Sequence, residues 1–481
     1  MNEWLKFGFI FFGILSVLGS SELIRKKSKK PPESTRQFIH ICVGIVVSLC
    51  PFLFKVNIQL ILLCVIFIAV NTFLYKIDAA KSMNAVERKS LGTIYFPVSV
   101  LILSLFFWDK PISFFIAVSV LTFADPIASI VGSKSRNYFY PWKDKKSVKG
   151  SIAMFSASFI LVAFGTDTMA RLFNANFYLP FHILIGLALF TAICATLSEM
   201  LSYKGSDNLT VPLITFFTYE IFLINYTHGN LIHLLIWSIL SIGIFSIAKQ
   251  FQSLSFSGAL SGFLVGILIF GSGGWVLISP LVFFFISSSL LSTIKNKPSS
   301  KRDALQILAN GGIPTFFALS YFFFKDQIFL LGFLGSLSAS TADTWATEIG
   351  FLSKKRPYLI FTSTKVDKGT SGSVSLLGTF GSIMGALFIG LISYYILEFN
   401  HSIALITFAG CLGSLTDSIL GRYLQGKFYC IKSNKVVEQR FQFDAENALI
   451  SGFKWIDNNL VNFIANLSSS VAIILINLVY G

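Results

Sequence analysis

Asp125, Asp207, Asp343, Glu348, Asp417 and Asp457 are acids at or near the ends of apolar runs, each among glycine, alanine, serine, threonine or asparagine. Carboxylates of this kind are the hard oxygen ligands that magnesium takes, usually shared with substrate phosphates. Basic residues and small-residue turns accompany them. In the first half these are Arg36, Arg88, Lys146 and Lys149 with Gly150-Ser151; in the second, Lys365 and Lys368 with Gly369-Thr370 and Gly372. Unpaired N–H groups at a helix start, together with the helix dipole, attract phosphate, and glycine lets backbone approach it closely. Acids and bases so combined suit phosphoryl or nucleotidyl transfer, in which positioning and charge neutralisation dominate. The chain has no GxxxxGK[ST] loop, no kinase HRD or DFG set, no HExxH and no zinc-type cysteine spacing, so a nucleotide must be held by another scaffold.

The acids differ in how they are placed. Asp125 lies in Ala124-Asp125-Pro126, near the end of an apolar span, where an acid is costly unless it has a partner. Arg36 and His40 are one helical turn apart and share a face, and His40 or Asp125 is the candidate proton acceptor. A histidine in such a place also serves simply as a packed residue. Glu87-Arg88 precede Tyr95-Phe96-Pro97, Glu199 closes a span, and Asp207-Asn208 open the next. In the second half Asn310-Gly311-Gly312 is expected to break its helix. Asp343 and Glu348, five apart, are expected to share a metal if their helix continues. Asp417 ends a span, and Asp457-Asn458 precede the last one. Single lysines and arginines work equally well as orienting charges beside headgroups, and the Ser336–Ser340 run reads as helix packing.

The elements that must hold these residues are membrane spans. Of 481 residues 54% are hydrophobic and 13% charged, against about 25% charged in soluble domains. Apolar stretches of about 20 residues match the hydrocarbon thickness of a bilayer. We read sixteen spans: 5–24, 38–54, 58–75, 94–108, 112–132, 150–165, 181–198, 210–226, 231–248, 256–271, 274–292, 305–324, 328–345, 372–397, 402–421 and 462–480. The fold class expected is therefore an all-α polytopic membrane protein, which excludes a secreted enzyme, a nucleic-acid binder or a disulfide scaffold. The net charge of +15 is not spread evenly: the loops after odd-numbered spans hold 33 of the 38 Lys and Arg residues. By the positive-inside rule those loops are cytoplasmic, both termini are outside, and the candidate sites face the cytoplasm of a cell membrane. The opening segment lacks a basic start and a small-residue cleavage site, so it reads as the first span. Six scattered cysteines read as small buried hydrophobes.

The halves echo each other. Ala124-Asp125-x-x-Ala128-Ser129-x-x-Gly132 matches Ala342-Asp343-x-x-Ala346-Thr347-x-x-Gly350. Both are followed by a basic interval, which the spacing matches as Gly132-to-Gly150 against Gly350-to-Gly369. Asp207-Asn208-Leu209 resembles Asp457-Asn458-Asn459-Leu460. Two related units are expected, 1–228 and 229–481, meeting near His228–Asn230.

Arg36/His40, Glu87-Arg88 with Tyr95-Phe96-Pro97, Ala124-Asp125-Pro126, Lys146–Ser151 and Asp207-Asn208 resemble the dolichol kinase and phytol kinase family. These are membrane enzymes, distantly similar to phosphatidate cytidylyltransferases, that use CTP to phosphorylate a polyprenyl or phytyl alcohol. The second half, through Ala309–Gly312, Thr341–Gly350, Gly369–Thr379, Gly413–Gly421 and Asp457–Asn462, resembles the family of the plant phytyl-phosphate kinase. The resemblance implies magnesium, CTP and lipid alcohol in the first half, and a prenyl phosphate going to its diphosphate in the second. A CDP-lipid-forming cytidylyltransferase would use the same groups. A transporter with an internal repeat would place its polar residues nearer mid-bilayer.

Overall fold

Bare backbone N–H and C=O groups cannot be left in hydrocarbon, so apolar runs of this length resolve them internally as helices. A computed structural model of the protein describes residues 2–28, 32–76, 90–173, 178–294, 301–396, 403–442 and 445–480. Contacts within the chain divide it into two units, Met1–Leu231 and Ile232–Gly481.

The first unit contains α1 (Glu3–Ser28), α2 (Pro32–Leu53), α3 (Ile58–Lys76) and α4 (Gly92–Phe106). A long span follows, made of α5 (Pro111–Ser119), a π-helical turn (Val120–Ala124) and α6 (Asp125–Ser133). Then come α7 (Val148–Phe173), α8 (Phe181–Met200) and α9 (Asp207–Thr227). The core is α5 and the π-turn, where Phe114, Ile116 and Leu121 are fully buried and α2, α7 and α9 pack around them. Pro126 ends the π-type bonding. It sits five residues after Leu121, at the position whose N–H a π-type bond would use, and a proline has none to give. Gly44 lets α2 lie directly on this turn, since a β-carbon there would fall 2.1 Å from Thr122 Oγ1. At the far end of α9, the buried Glu220 takes hydrogen bonds from Ser113 and pairs with Lys110 (3.2 Å).

The second unit contains α10 (Leu231–Gln250), α11 (Phe256–Ile294), α12 (Ala304–Phe324), α13 (Gln327–Phe351), α14 (Leu376–Ile396), α15 (Ile403–Tyr423) and α16 (Asn458–Tyr480). α11 is broken into two helices at Gly273 and Gly274, the latter at φ 60°, so each of the sixteen spans read from the sequence has its helix. Thirteen helices among the described residues are long and apolar enough to cross a membrane; α4 is shorter, and α13 is rich in small polar residues. α13 is the hub, packed against α11, α12, α14, α15 and α16. Its Ser and Gly positions are knitted to neighbours: Ser338 Oγ donates to the Ile406 carbonyl (3.0 Å), and Ser469 and Ser470 donate to the carbonyls of Gly335 and Gly332 (both 2.8 Å). Small residues and hydroxyls are how helices associate where lipid offers no hydrophobic drive.

Three sequence expectations are corrected. Asn310-Gly311-Gly312 does not break its helix: α12 runs through it, because Gly311 packs near Val265 and its carbonyl takes Thr315 Oγ1 at 2.6 Å. The fourteenth span begins at Leu376 rather than 372. The residues before it form a hairpin of β3 (Tyr358–Leu359) and β4 (Ser373–Val374), as β1 (Tyr138–Phe139) and β2 (Lys146–Ser147) do before α7. The third concerns the repeat. Gly150 donates its N–H to Ser147 Oγ (3.0 Å), and a β-carbon on it would meet the Ala128 carbonyl and Gly132. Gly378 donates to Ser375 Oγ (3.0 Å), and a β-carbon there would meet the Ala346 carbonyl and Gly350. Gly378, not Gly369, is thus the counterpart of Gly150, and the second hairpin is the longer. Neighbour relations recur as well: α6–α7, α7–α8, α8–α9 and α4–α9 in one unit, α13–α14, α14–α15, α15–α16 and α12–α16 in the other. Among the described residues, only the second unit adds a small sheet of β5 (Lys427–Cys430), β6 (Lys435–Val437) and β9 (Ala448–Ser451), with the short pair β7 (Phe441–Gln442) and β8 (Ala445–Glu446).

Candidate active site

In the first unit the start of α2, the start of α6, β2, the end of α8 and the start of α9 converge. The loops are tied together, Leu91 N donating to Lys204 O (3.1 Å) and Lys204 N to Asp144 Oδ2 (3.3 Å). Lys146 Nζ reaches Glu199 Oε1 (2.5 Å) and Ser202 Oγ (2.8 Å), with the lysine and glutamate side chains only 14% and 10% exposed. Asp125 lies within electrostatic range of Asp207, Glu199, Arg36 and Lys146, and His40 within range of Arg36 and Asp207. Burial alone would lower the Lys146 pKa. The carboxylates of Glu199, Asp207 and Asp125 outweigh it and hold the ammonium above the ordinary lysine range. His40 Nε2 lies 3.1 Å from the Leu121 carbonyl oxygen. That oxygen only accepts, so Nε2 carries the hydrogen and Nδ1 the lone pair.

The sequence candidates Arg36, His40, Asp125, Lys146, Glu199, Asp207 and Asn208 are therefore one cluster. Asp207 Oδ1 accepts from both the backbone and side-chain nitrogens of Asn208 (2.9 Å each). Lys149 is exposed beside the cluster. The Gly150 amide is engaged by Ser147, so that glycine is a packing position, and Ser151 Oγ is buried. Glu87 and Arg88 lie outside the described residues.

In the second unit the acids part company. α13 continues past both Asp343 and Glu348, but five residues turn a helix through about 140° beyond one revolution. Asp343 lies in range of Asp417 on α15, whereas Glu348 meets Ser292 Oγ (3.4 Å) and Arg302. A metal shared by Asp343 and Glu348 is thus not what this helix presents. Asn462, with its amide nitrogen turned toward the acid, donates to Asp417 Oδ2 (2.7 Å) and the Asn458 carbonyl (3.2 Å). Asp457 caps α16, its Oδ1 taking Leu460 N at 2.9 Å. Asn310 bonds within α12 to the Gln306 carbonyl (3.1 Å). Lys365 and Lys368 are exposed on the hairpin, Lys368 Nζ reaching the Phe351 carbonyl (3.0 Å). Gly369 and Gly372 take left-handed conformations, φ 87° and 78°, and Thr370 Oγ1 bonds to the Asp367 carbonyl (2.8 Å), so this stretch is a turn and not a helix start.

Sequence reasoning placed Asn462 only in the Asp457–Asn462 string, with no role, and overlooked Arg422, Lys427 and Glu438. Glu438 accepts from Ser371 Oγ, Arg422 donates to the Ile360 carbonyl, and Lys427 Nζ reaches the Ser371 carbonyl (3.3 Å). Burial lowers the Lys427 pKa; Glu438 pulls it back in part, and Arg422 adds to the lowering. Lys146 has no counterpart: the residue before Ser375 is Val374. The second unit's positive charge comes instead from α15 and β5.

Magnesium commonly takes one or two carboxylates and completes its shell with phosphate and water. The pairs Asp125/Asp207 and Asp343/Asp417 fit that pattern, and Glu199 Oε2 is a buried oxygen without a hydrogen-bond partner among the described residues. Among those residues no three His, Cys, Asp or Glu side chains form a cage that would hold an ion unaided.

A partly buried acid and base cluster at the ends of membrane helices defines a polytopic membrane protein with a polar site. Residues 239–470 match the family described as integral membrane protein DUF92, and the chain belongs to that family. It is 32% identical over 186 residues to an uncharacterized membrane protein of Methanocaldococcus jannaschii, covering 37% of this chain and 78% of the relative. It is 32% identical over 254 residues to Protein PGR of Arabidopsis thaliana (46% and 87%). It is 28% identical over 214 residues to the phytol kinase of Synechocystis sp. (44% and 88%). No solved structure matches.

Proposed function

We propose that the protein is a prenol kinase that phosphorylates an isoprenoid alcohol in its first unit and the resulting monophosphate in its second, with CTP as donor. The observation that carries this reading is the partly buried cluster of Arg36, His40, Asp125, Lys146, Glu199 and Asp207, supported by the likeness to a protein named phytol kinase. Arg36, Lys146 and exposed Lys149 bind the nucleotide phosphates, Lys146 being fixed by Glu199 and Ser202. The alcohol oxygen attacks the terminal phosphorus and the bond to the CDP oxygen breaks. The hydroxyl proton passes to His40 Nδ1, which the bond at Nε2 orients. Magnesium held by Asp125 and Asp207 would neutralise charge on the same phosphates.

In the second unit Asp343 and Asp417, the latter held by Asn462, take the equivalent part, with Arg422 and Lys427 as cations. The nucleophile there is already an anion, so a base is unnecessary and charge screening matters more. The distribution of Lys and Arg between loops supports a cytoplasmic placement of both reactions.

The test is incubation of the detergent-purified protein with magnesium, γ-labelled CTP and farnesol, geranylgeraniol or phytol. Labelled mono- and diphosphate with CDP release are expected. Pyrophosphate release would identify a cytidylyltransferase instead, and unlabelled lipid under every nucleotide and alcohol would overturn the kinase reading.

A further inference from the structure

A half-open cavity, with about 1100 Å³ of space between its walls when the solvent at its mouth is counted, runs between α1, α2, α3, α4 and the start of α9. Its lining is sorted by polarity. Arg36, His40, Asn71, Ser90 and Asn208 ring one end, and Val47, Leu60, Leu63 and Val100 close the other. The two ends are separated alike on two helices: Arg36 to Val47 on α2 and Asn71 to Leu60 on α3 are each eleven residues, or about 16 Å of helix. The floor is sealed. Leu60 and Val100 are 1% exposed, and the next turn of α2 and of α4 presents Cys50 and Leu103, both fully buried.

We propose that this cavity is a molecular ruler for the substrate tail, holding a linear isoprenoid primary alcohol of about three isoprene units, hydroxyl in the polar ring level with Arg36 and Asn71 and tail end at Val47 and Val100. The inference rests on the kinase reading above and adds the substrate's length. A slot with polar groups at one end only suits a molecule with one small polar head. An extended carbon chain advances about 1.3 Å per bond, so about 16 Å takes about twelve chain carbons. Four further chain carbons, as in geranylgeraniol or phytol, exceed the space between the Arg36 and Asn71 level and the floor. Val47 and Val100 are then specificity-determining residues, since they meet the chain end and not the reacting atoms.

Two measurements on the full-length protein in detergent test this. The first compares kcat/KM for geraniol, farnesol and geranylgeraniol in the wild type, Val47→Phe and Val47→Ala. Farnesol is expected to be best in the wild type. Val47→Phe should shift the ratio toward geraniol by at least about tenfold, and Val47→Ala toward geranylgeraniol, on the scale that a methylene or two is worth in an apolar pocket. The second is photocrosslinking with a farnesol-length alcohol carrying a diazirine at its tail, mapped by mass spectrometry, which needs no turnover. Labelling at the α2 and α3 floor, abolished by Val47→Phe, is expected. Floor labelling without any phosphorylation would overturn the kinase reading while keeping the cavity as a prenol site. Turnover indifferent to chain length in all three proteins, or labelling elsewhere, would overturn the ruler while leaving the kinase reading intact. Val47→Ala adds no bulk, so a folding failure of the phenylalanine variant does not remove the test.

Discussion

Lys146 Nζ stands 2.5 Å from Glu199 Oε1, joining the strand before α7 to the last turn of α8 with both side chains largely out of solvent. Two charges in that position make each other tolerable, and neither is tolerable alone. Lys146→Ala should therefore cost about 3–5 kcal/mol of stability, while Lys146→Met combined with Glu199→Gln should cost distinctly less. Thermal unfolding in detergent of the two single variants and the double variant checks this. Additive losses would show that the two residues do not act as a pair.

The same pair sets a pH dependence. The Lys146 pKa is raised by folding, so its stabilising contribution is complete below the unfolded lysine value of about 10.4 and is lost as pH rises through the higher folded value. Wild-type stability minus that of the double variant should be flat through neutral pH and shrink only in the alkaline range. A difference that fades near pH 7 would contradict the assignment.

His40→Gln keeps a polar side chain near the Leu121 carbonyl but supplies no base. We expect kcat with the preferred alcohol to fall on the order of a hundredfold or more, with the KM for CTP little changed. Loss of nucleotide affinity without loss of kcat would place His40 among the phosphate-binding groups instead.

Asp343→Asn should leave monophosphate synthesis at the wild-type rate and lower diphosphate formation by about a hundredfold, so that labelled monophosphate accumulates. Asn462→Leu, which removes the donor to Asp417, should push in the same direction more weakly. A normal diphosphate yield in Asp343→Asn would remove the second unit from the reaction.

Gly378→Leu places a side chain against the Ala346 carbonyl and Gly350, and Gly150→Leu does the same against Ala128 and Gly132. Each should cost about 1–3 kcal/mol by overpacking. Gly243→Leu, with open space around it, is the control and should be nearly silent. Equal losses at all three positions would mean that the close crossing is not responsible, since helix propensity alone favours leucine over glycine.

Much of this architecture could be read from the chain because a bilayer enforces it. About twenty apolar residues are needed per span, and the costly acids Asp125, Asp343 and Asp417 betray themselves by their surroundings. What escaped the sequence depends on contacts between distant segments. Nothing local marks Gly378 as the partner of Gly350, because the hairpin between them is longer than its counterpart and shifts the spacing. Asn462 resembles any polar residue near a helix start until α15 is seen to bring Asp417 to it. Glycine misled in both directions. Gly311-Gly312 allows close packing inside an intact α12, whereas Gly274, at positive φ, ends a helix.

The π-turn of residues 120–124 precedes Asp125, while α13 approaches Asp343 as an uninterrupted α-helix. A π-turn holds one residue more than the α-turn it replaces, and one residue is about 100° of rotation. When the two acids are superimposed, side chains at equal distances upstream of them consequently point in different directions. A gapless alignment of the halves therefore pairs positions on different helix faces before the acid, and after it stays in register only as far as Gly132 and Gly350. The likeness between the two acid-bearing spans is accordingly concealed upstream of each aspartate, and a one-residue gap within 120–124 brings α5 and the first part of α13 into phase.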